Sequence, residues 1–265
     1  MDFEMILYDV SEGIATITLN RPDSYNSMSS AALAEVNLAL KQVYNDDSVR
    51  AVILTGAGKA FCSGADLTEA GDEAAAFDIR YALRTGWNII SNQIRTLEKP
   101  VICALNGVAA GAGMSVALST DYRIASEKAS FVFASFVSIG LVPDAGLTQL
   151  LQNLVGTSKA LELLWFADAK NRVDAQSALE MGIVNRVVAH DDLMTEAQTL
   201  AEKLVKMPTR SLGLSKRAVY YAQEHSFTEA MEYEAELQWV AFHTDDFKEG
   251  VTAFLEKRAP VFKGK

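Results

Sequence analysis

Two segments of the sequence share one design: Gly58-Lys59-Ala60-Phe61-Cys62-Ser63-Gly64-Ala65-Asp66-Leu67 and Asn106-Gly107-Val108-Ala109-Ala110-Gly111-Ala112-Gly113-Met114-Ser115. In each, a strand is predicted to lead into a turn of small residues and then into a helix or loop. Small side chains let a ligand approach the backbone, and glycine permits sharp turns. A helix that begins near Ala112 would direct free N–H groups at such a ligand, and two converging donors can bind one carbonyl oxygen. Tight packing of a helix on a sheet explains the same composition, so each segment alone leaves both interpretations open.

On either side of these segments, strands alternate with helices as far as about residue 155. Apolar and β-branched residues predict strands at 6–10, 14–19, 49–55 and 101–105, with a hairpin turn at Ser11-Glu12-Gly13. The almost continuous apolar run at 101–105 is typical of a parallel sheet that helices cover. The first part of the chain is therefore predicted to be an α/β core.

The remainder of the chain is predicted to be almost entirely helical. Helical spacing marks 147–155, 157–166, 173–181, 191–206, 209–224, 227–243 and 245–257, with one short strand at 183–188. We therefore expect an α/β fold built of strand-strand-helix turns. Its core is placed in residues 1–195, and a helical C-terminal region in residues 196–265.

Composition excludes several classes of protein. The chain has 265 residues and a formal net charge of -10, whereas sequence-independent nucleic-acid binding needs a basic face. Its two cysteines have no paired spacing, which favours a reducing compartment. The start lacks the basic residues of a signal peptide, and the apolar stretch 101–120 contains Asn106 and several glycines, so no membrane span is expected. These observations predict a cytoplasmic protein without nucleic-acid or membrane partners.

Common cofactor and metal motifs are incomplete. Gly111-Ala112-Gly113-Met114-Ser115-Val116 lacks the third glycine of a dinucleotide fingerprint, and the chain has no Gly-x-Ser-x-Gly elbow. His190, His225 and His243 have no partner at ligand spacing. Neither a metal site nor a separate cofactor is expected.

Six sets of residues together resemble the signatures of the crotonase (enoyl-CoA hydratase/isomerase) superfamily. They are Asn20-Arg21-Pro22-Asp23-Ser24-Tyr25-Asn26; Phe61–Leu67; Lys99-Pro100-Val101 with Asn106-Gly107 and Gly111-Ala112-Gly113; Gly140-Leu141-Val142-Pro143; Gly182-Ile183-Val184; and Phe254-Leu255-Glu256-Lys257-Arg258. They occur in the family's order over residues 5–262. Each motif is weak alone, but six in order indicate the family and its spiral of strand-strand-helix turns.

The resemblance implies roles for individual residues. The N–H groups of Ala65 and Ala112 would hold the thioester oxygen of an acyl-CoA, which enters as the substrate. Residues implied to line the path of CoA and its acyl group are Ser63, Gly64, Ala65, Asp66, Leu67, Gly111 and Phe136. Phe254 and Lys257 occupy positions near the CoA nucleotide, often supplied by a neighbouring subunit. The resemblance thus also implies a homo-oligomer, a trimer or a dimer of trimers, joined through residues 196–265.

The last nine residues independently suit a phosphate ligand. Residues 257–265 contain Lys257, Arg258, Lys263 and Lys265 and no acidic residue, in an otherwise acidic chain. A solvated charged terminus is the alternative. Apolar positions such as Leu200, Leu204 and Val219 further suggest that the C-terminal region has more apolar surface than one core buries.

The reaction is suggested by departures from the family pattern. Hydratases of the family use two glutamates, because addition of water needs one group to activate water and one to protonate carbon. Those positions are occupied here by Ser115 and Phe136, or Ser135 on another count. The usual hydratase activity is therefore not expected, and the Ser115 hydroxyl is expected to be a spectator.

A different carboxylate lies in the site region, at Asp144. Its position resembles the single catalytic acid of enoyl-CoA isomerases of the phenylacetyl-CoA pathway type, and one base suffices to move a double bond. Burial among Phe131, Phe133, Phe136 and Val142 would raise its pKa. The structural alternative is a turn or an N-cap for helix 147–155. Asp66 is expected mainly to hold the loop after Ala65.

We therefore predict an acyl-CoA double-bond isomerase with Asp144, Ala65 and Ala112 as catalytic residues. Alternatives are an enoyl-CoA hydratase (a lyase) with other acid–base groups, and a hydrolase or dehalogenase in which Asp144 is a nucleophile. A non-catalytic protein on the same fold, binding acyl-CoA or associated with RNA, is the alternative from another class.

Overall fold

The computed structural model describes residues 3–70 and 78–265, and its main element is a six-stranded sheet. The strands are β1 (Ile6–Ser11), β2 (Ile14–Leu19), β3 (Ala51–Gly56), β4 (Ala60–Cys62), β5 (Val101–Leu105), β6 (Val108–Ala110), β7 (Tyr122–Ser126), β8 (Ser130–Val132), β9 (Val173–Asp174) and β10 (Arg186–Val188). The large sheet has the order β1-β2-β3-β5-β7-β10, and a smaller sheet has the order β4-β6-β8-β9.

Eleven α-helices are present in the described part of the chain. They are α1 (Ser30–Asn45), α2 (Ile79–Thr85), α3 (Trp87–Thr96), α4 (Ala112–Ser119), α5 (Leu147–Val155), α6 (Thr157–Phe166), α7 (Ala175–Glu180), α8 (Leu193–Val205), α9 (Thr209–Ala222), α10 (Phe227–Phe242) and α11 (Asp245–Glu256). None of those helices is long and apolar enough to cross a membrane.

Three parallel strands of the large sheet each continue into a short strand of the small sheet, and a helix follows. β3 leads to β4, β5 to β6 and β7 to β8, and the small strands pair in parallel in the same order. This repetition confirms the predicted α/β fold of strand-strand-helix turns. It also places the turn after β4 beside the turn after β6, which is where the two candidate segments lie.

The hairpin between β1 and β2 follows from its turn residues. Glu12 and Gly13 have φ angles of 50° and 79°, and a two-residue turn with two positive φ angles matches the twist of antiparallel strands. Ser11 pairs with Ile14 across that turn. The predicted hairpin is confirmed.

The large sheet is buried on both faces, which explains its continuous apolar strands. One face packs Ile53, Ile102 and Ile124 against α8. Leu200 and Leu204 are partly buried on this same cluster, so they do not provide the surplus apolar surface that the sequence suggested. The predicted boundary between residues 195 and 196 lies inside α8, and the division into two parts stays a prediction.

Residues 173–181 correct one prediction. The predicted helix begins only at Ala175, because Val173 and Asp174 pair with β8 and the Asp174 side chain accepts from the N–H of Ser177 as an N-cap. Local helical spacing does not reveal that a strand from another part of the chain recruits the first two residues.

Candidate active site

The turns after β4 and β6 are in direct contact. Gly64 has φ +100°, and a Cβ there would lie 3.1 Å from the carbonyl oxygen of Ala110 and 3.4 Å from the nitrogen of Ala112. A glycine at this point therefore serves both the turn and the close approach of the two segments. The structure thus brings Gly64, the residue before Ala65, next to Ala112.

Two backbone N–H groups remain free where these segments meet. Ala65 and Met28 form a parallel β-bridge, whose hydrogen bonds are made by the two residues on either side of Ala65. Met28 N donates to Gly64 O at 2.8 Å, and Asp66 N donates to Met28 O at 3.1 Å. Ala112 is the first residue of α4, after Gly111 with φ +53°. Within residues 3–70 and 78–265, neither the Ala65 nor the Ala112 N–H has an acceptor. Such free donors at a turn and a helix N-terminus are suited to a developing oxyanion.

Gly113 shows that tight packing of helix on strand also accounts for the small residues of the second segment. A Cβ at Gly113 would collide with the backbone of Cys62, so α4 lies directly on β4. The small residues of the second segment therefore have two functions. Gly111 permits the turn that frees the Ala112 N–H, whereas Gly113 permits the close contact of helix and strand.

Two asparagines of the sequence motifs shape the backbone before the first turn. Asn26 Nδ2 donates to Ala60 O at 2.7 Å, and Asn106 Nδ2 donates to the same oxygen at 3.0 Å. Asn26 is 1% exposed and has φ 55°. The sequence marked both residues only as family landmarks, because the convergence of two side chains on one carbonyl depends on contacts between distant segments.

Asp66 belongs to an ion pair. Its Oδ2 lies 2.8 Å from Arg21 Nη2, and its Oδ1 accepts from both the N–H and the hydroxyl of Thr68. Hydrogen bonds from Thr68 and from Arg21 hold the pKa of the Asp66 carboxyl below its usual value. These contacts support the predicted structural role of Asp66 in the loop after Ala65.

Asp144 is in the opposite environment. Its Oδ1 is buried without a hydrogen-bond partner in the part of the chain that the structure describes. Burial raises the pKa of this carboxyl to about 6. The alternative of a helix cap is wrong, because Gly146 is the N-cap of α5 and the Asp144 side chain makes no cap hydrogen bond. The alternative of a turn is observed, since the N–H of Leu147 donates to the Asp144 carbonyl oxygen at 3.0 Å. Left-handed backbone at Ala145 (φ 49°) and Gly146 (φ 89°) separates the aspartate from the helix.

The surroundings of Asp144 differ in part from those predicted. Phe131, Phe133 and Phe136 are buried, and their contact with Asp144 stays a prediction, but Val142 is 77% exposed and does not contribute to burying the carboxyl. Val142 lies on an exposed apolar stretch with Val137, Ile139 and Leu141.

Ser115 places Asp144 near the free N–H of Ala112. The Ser115 Oγ donates a hydrogen bond of 3.0 Å to the backbone carbonyl oxygen of Asp144. Ser115 is three residues after Ala112 on α4, a rise of roughly 4.5 Å along a helix. The backbone of Asp144 is thus held against α4 about one helical turn after the candidate oxyanion donor.

The C-terminal candidates lie apart from these turns. Phe254 is 81% exposed and lines a groove of about 1090 Å³ with residues of α9, α10 and the C-terminal tail. In the described part of the chain, that groove is not lined by Ala65, Ala112 or Asp144. One chain alone therefore does not bring Phe254 into a common cavity with the two turns.

The predicted cationic tail is weaker than its sequence suggests. Arg258 contacts Glu249 at 2.6 Å and Glu256 at 2.7 Å, so its charge is neutralised. Lys257 is exposed, has no ion pair among the described residues, and ends α11 with φ 55°. The sequence could not reveal the Glu249 pair, because the two residues meet only after α11 turns at Lys257.

Comparisons with known proteins agree with this geometry. The family model described as enoyl-CoA hydratase/isomerase matches residues 9–265. The chain belongs to this family. It is 40% identical over 264 residues to the 1,2-epoxyphenylacetyl-CoA isomerase of Escherichia coli (strain K12), covering 99% of each chain.

Other members of the enoyl-CoA hydratase/isomerase family are similarly close. A probable enoyl-CoA hydratase of Rhodobacter capsulatus is 37% identical over 266 residues, covering 100% of each chain. A solved structure from Geobacillus kaustophilus HTA426, described as an enoyl-CoA hydratase subunit I, has a TM-score of 0.91 and 38% identity, with 100% of both chains covered. The predicted superfamily and its crotonase fold are confirmed.

Membership in the enoyl-CoA hydratase/isomerase family establishes an enzyme that acts on acyl-CoA thioesters. The relatives include an isomerase and a hydratase at similar identity, so family membership does not select the reaction. In residues 3–70 and 78–265, no group of three or more His, Cys, Asp or Glu side chains is arranged to hold a metal ion.

Proposed function

We propose that the protein is an enoyl-CoA isomerase that shifts a double bond through an enolate. The observation that carries this proposal is the half-buried Asp144 carboxyl: its Oδ1 is buried without a partner among the described residues, and the backbone carbonyl of the same residue is hydrogen-bonded to Ser115, one turn after Ala112 on α4. Burial raises its pKa to about 6, which suits a group that accepts and returns protons near neutral pH.

The proposed reaction uses one base and two donors. The Asp144 carboxylate removes a proton from the α-carbon of a 3-enoyl thioester, or from the γ-carbon of a 2-enoyl thioester. The electron pair of the broken C–H bond moves toward the carbonyl oxygen. The N–H groups of Ala65 and Ala112 bind the resulting enolate oxygen, where each donor contributes about 3 kcal/mol at typical magnitudes. Protonated Asp144 then returns the proton to another carbon. No atoms are gained or lost, so neither water nor a cofactor is required.

The two positions where family hydratases carry glutamates support an isomerase over the usual hydratase. Ser115 is completely buried and its hydroxyl is donated to the Asp144 carbonyl, and Phe136 is 6% exposed and has no proton to exchange. Water addition needs a second acid–base group. Neither side chain supplies one.

Binding of the CoA portion is proposed along Ser63, Gly64, Asp66, Leu67 and Gly111, with Phe254 and Lys257 at the nucleotide end. Lys257 has an unpaired charge in the described structure, which suits a phosphate. Lys257→Ala should raise the KM for CoA thioesters a few-fold at low salt, and this difference should shrink as salt screens the charge. A KM equal to that of the parent at low salt would contradict the contact.

A homo-oligomer, a trimer or a dimer of trimers, is part of the same proposal. Exposed apolar side chains in the C-terminal region supply the argument: Val219, Met231, Trp239, Phe242, Phe254, Leu255 and Val261. An apolar surface of this kind is typical of a protein interface. A second copy would also explain why Phe254 does not share a cavity with Ala65 in one chain. Light scattering at micromolar concentration tests this, and a stable monomer would contradict it.

The deciding experiment is incubation with 2-enoyl-, 3-enoyl- and aryl-CoA thioesters, with products identified by mass and NMR. An isomerase gives products of unchanged mass with a moved double bond and exchanges carbon-bound protons with deuterated water. The second candidate is an enoyl-CoA hydratase, which relatives of similar identity favour. A hydratase gives products heavier by one water. Binding without any product would support a non-catalytic acyl-CoA-binding protein, and a free carboxylic acid would support a hydrolase.

A further inference from the structure

The hydroxyl of Ser115 joins the two halves of the candidate active site. Ser115 lies on α4, the helix whose first N–H is the Ala112 donor, and its side chain is completely buried. Its Oγ donates to the carbonyl oxygen of Asp144 at 3.0 Å, across 29 residues of sequence. This tertiary hydrogen bond connects the oxyanion helix to the loop that carries the carboxyl.

The carboxyl of Asp144 depends on its backbone for its direction. Its Oδ1 has no partner in the described part of the chain, so no hydrogen bond to that atom orients the side chain. The two following residues, Ala145 and Gly146, have φ angles of 49° and 89°, so the chain turns sharply at this point. The position of the Asp144 peptide therefore sets the direction of its Cα–Cβ bond, from which the carboxyl extends.

We propose that Ser115 is a positioning residue, which holds the Asp144 peptide against α4 and so directs the Asp144 carboxylate toward the carbon that exchanges its proton. This inference rests on the proposed isomerase function. Ser115 does not act on the substrate itself, because its side chain is buried and its proton is donated to a carbonyl. Proton transfer requires heavy atoms about 2.6–3.2 Å apart, and a displacement of about 1 Å can cost up to about 100-fold in rate. The Ser115 hydroxyl is then not the spectator that the sequence suggested.

Removal of the hydroxyl should leave the fold intact. The Asp144 carbonyl oxygen also accepts from the N–H of Leu147 at 3.0 Å, so Ser115→Ala leaves no buried acceptor without a donor. Ser119 offers a matched control on the same helix. It is also completely buried, and its Oγ donates at 2.8 Å to the Ser115 carbonyl instead of to the Asp144 loop.

The test compares Ser115→Ala, Ser115→Cys and Ser119→Ala on the substrate found in the thioester panel. Cysteine keeps roughly the size of serine but is a weak donor, so it separates volume from hydrogen bonding. For both Ser115 variants we expect kcat to fall about tenfold with an unchanged KM. The acid limb of kcat should move to lower pH, because a loosened loop admits water to the carboxylate. Ser119→Ala should stay within about twofold of the parent.

Parent values of kcat and of the acid limb in both Ser115 variants would overturn the inference. Equal losses in Ser115→Ala and Ser119→Ala would also overturn it, because they would indicate a general effect of buried hydroxyls on α4. Asp144→Asn in the same assay distinguishes failure of the proposed isomerase function from failure of the proposed role of Ser115. If that variant is active, the proposed function fails; if it is inactive while Ser115→Ala is normal, only the role of Ser115 fails.

Discussion

Asp66 and Asp144 are two aspartates beside the candidate oxyanion segments, and their surroundings are opposite. Both carboxylate oxygens of Asp66 have partners, since Thr68 donates to one and Arg21 pairs with the other at 2.8 Å. Oδ1 of Asp144 is buried with no partner in the described part of the chain. Hydrogen bonds from Thr68 and Arg21 lower the pKa of Asp66, whereas burial raises that of Asp144 to about 6. Surroundings, and not residue type, select the carboxylate that can move a proton.

The largest effect is expected for Asp144→Asn, which removes the one difference between the two aspartates that matters for proton transfer. An amide cannot accept and return a proton near neutral pH, so turnover should fall by about 1,000-fold. Because burial raises the Asp144 pKa, the ionised carboxyl destabilises the fold above about pH 6, and the amide removes that cost. The melting temperature at pH 7.5 should therefore equal or exceed that of the parent. An active variant would show that another group is the base.

The second largest loss of turnover is expected for Ala112→Val, which leaves both aspartates unchanged. Ala112→Val adds two methyl groups beside the free N–H of α4 and should lower turnover by about 100-fold by crowding the thioester oxygen. A thermal melt and the pH profile serve as controls, since Asp144 is intact and its acid limb should not move. Full activity in Ala112→Val would place the thioester oxygen elsewhere.

The pH dependence of kcat/KM in the parent enzyme tests which of the two aspartates acts as the base. Asp144 acts as a base only when ionised, so activity should fall by about tenfold per pH unit below pH 6 and should be constant just above it. Asp66 is not expected to contribute to this limb, because hydrogen bonds from Thr68 and Arg21 hold the pKa of its carboxyl below the usual value. One acid limb near pH 6 is thus expected. A limb near pH 4 would point to a solvated carboxyl in place of Asp144.

The smallest effect is expected for Asp66→Asn, the matched control for Asp144→Asn. It removes the ion pair with Arg21, in which the Asp66 side chain is only 10% exposed, so the free energy of unfolding should fall by about 1–3 kcal/mol. Turnover should drop only a few-fold through a looser loop after Ala65. Urea unfolding measures the first effect and steady-state kinetics the second. A loss of turnover as large as that of Asp144→Asn would contradict the structural role.

The sequence predicted the regular elements well because their signals are local. Predicted helices at 147–155 and 157–166 coincide with α5 and α6, and predicted strands at 14–19 and 101–105 coincide with β2 and β5. Periodicity and turn glycines are properties of neighbouring residues, so one chain suffices to read them. The helix predicted at 173–181 failed at its N-terminal end, where Val173 and Asp174 pair with the distant strand β8.

Charge and exposure were predicted less well, because they depend on distant partners. Arg258 is basic in sequence, but Glu249 neutralises it in the folded chain. Leu200 packs on the isoleucines of the sheet, whereas Val219 is 60% exposed. Both leucine and valine are apolar at helical spacing, and only the neighbouring elements decide which one is covered.

The sequence by itself determined the family, the α/β alternation, the two small-residue turns and the presence of an aspartate at position 144. Only the tertiary structure decided that Ala65 and Ala112 keep free N–H groups beside one another, that the Asp144 carboxyl caps no helix, and that Ser115 holds its peptide. The physical reason is that a hydrogen bond across 29 residues, or the desolvation of one carboxyl, is set by the segments that fold around it and leaves no periodic trace in the chain.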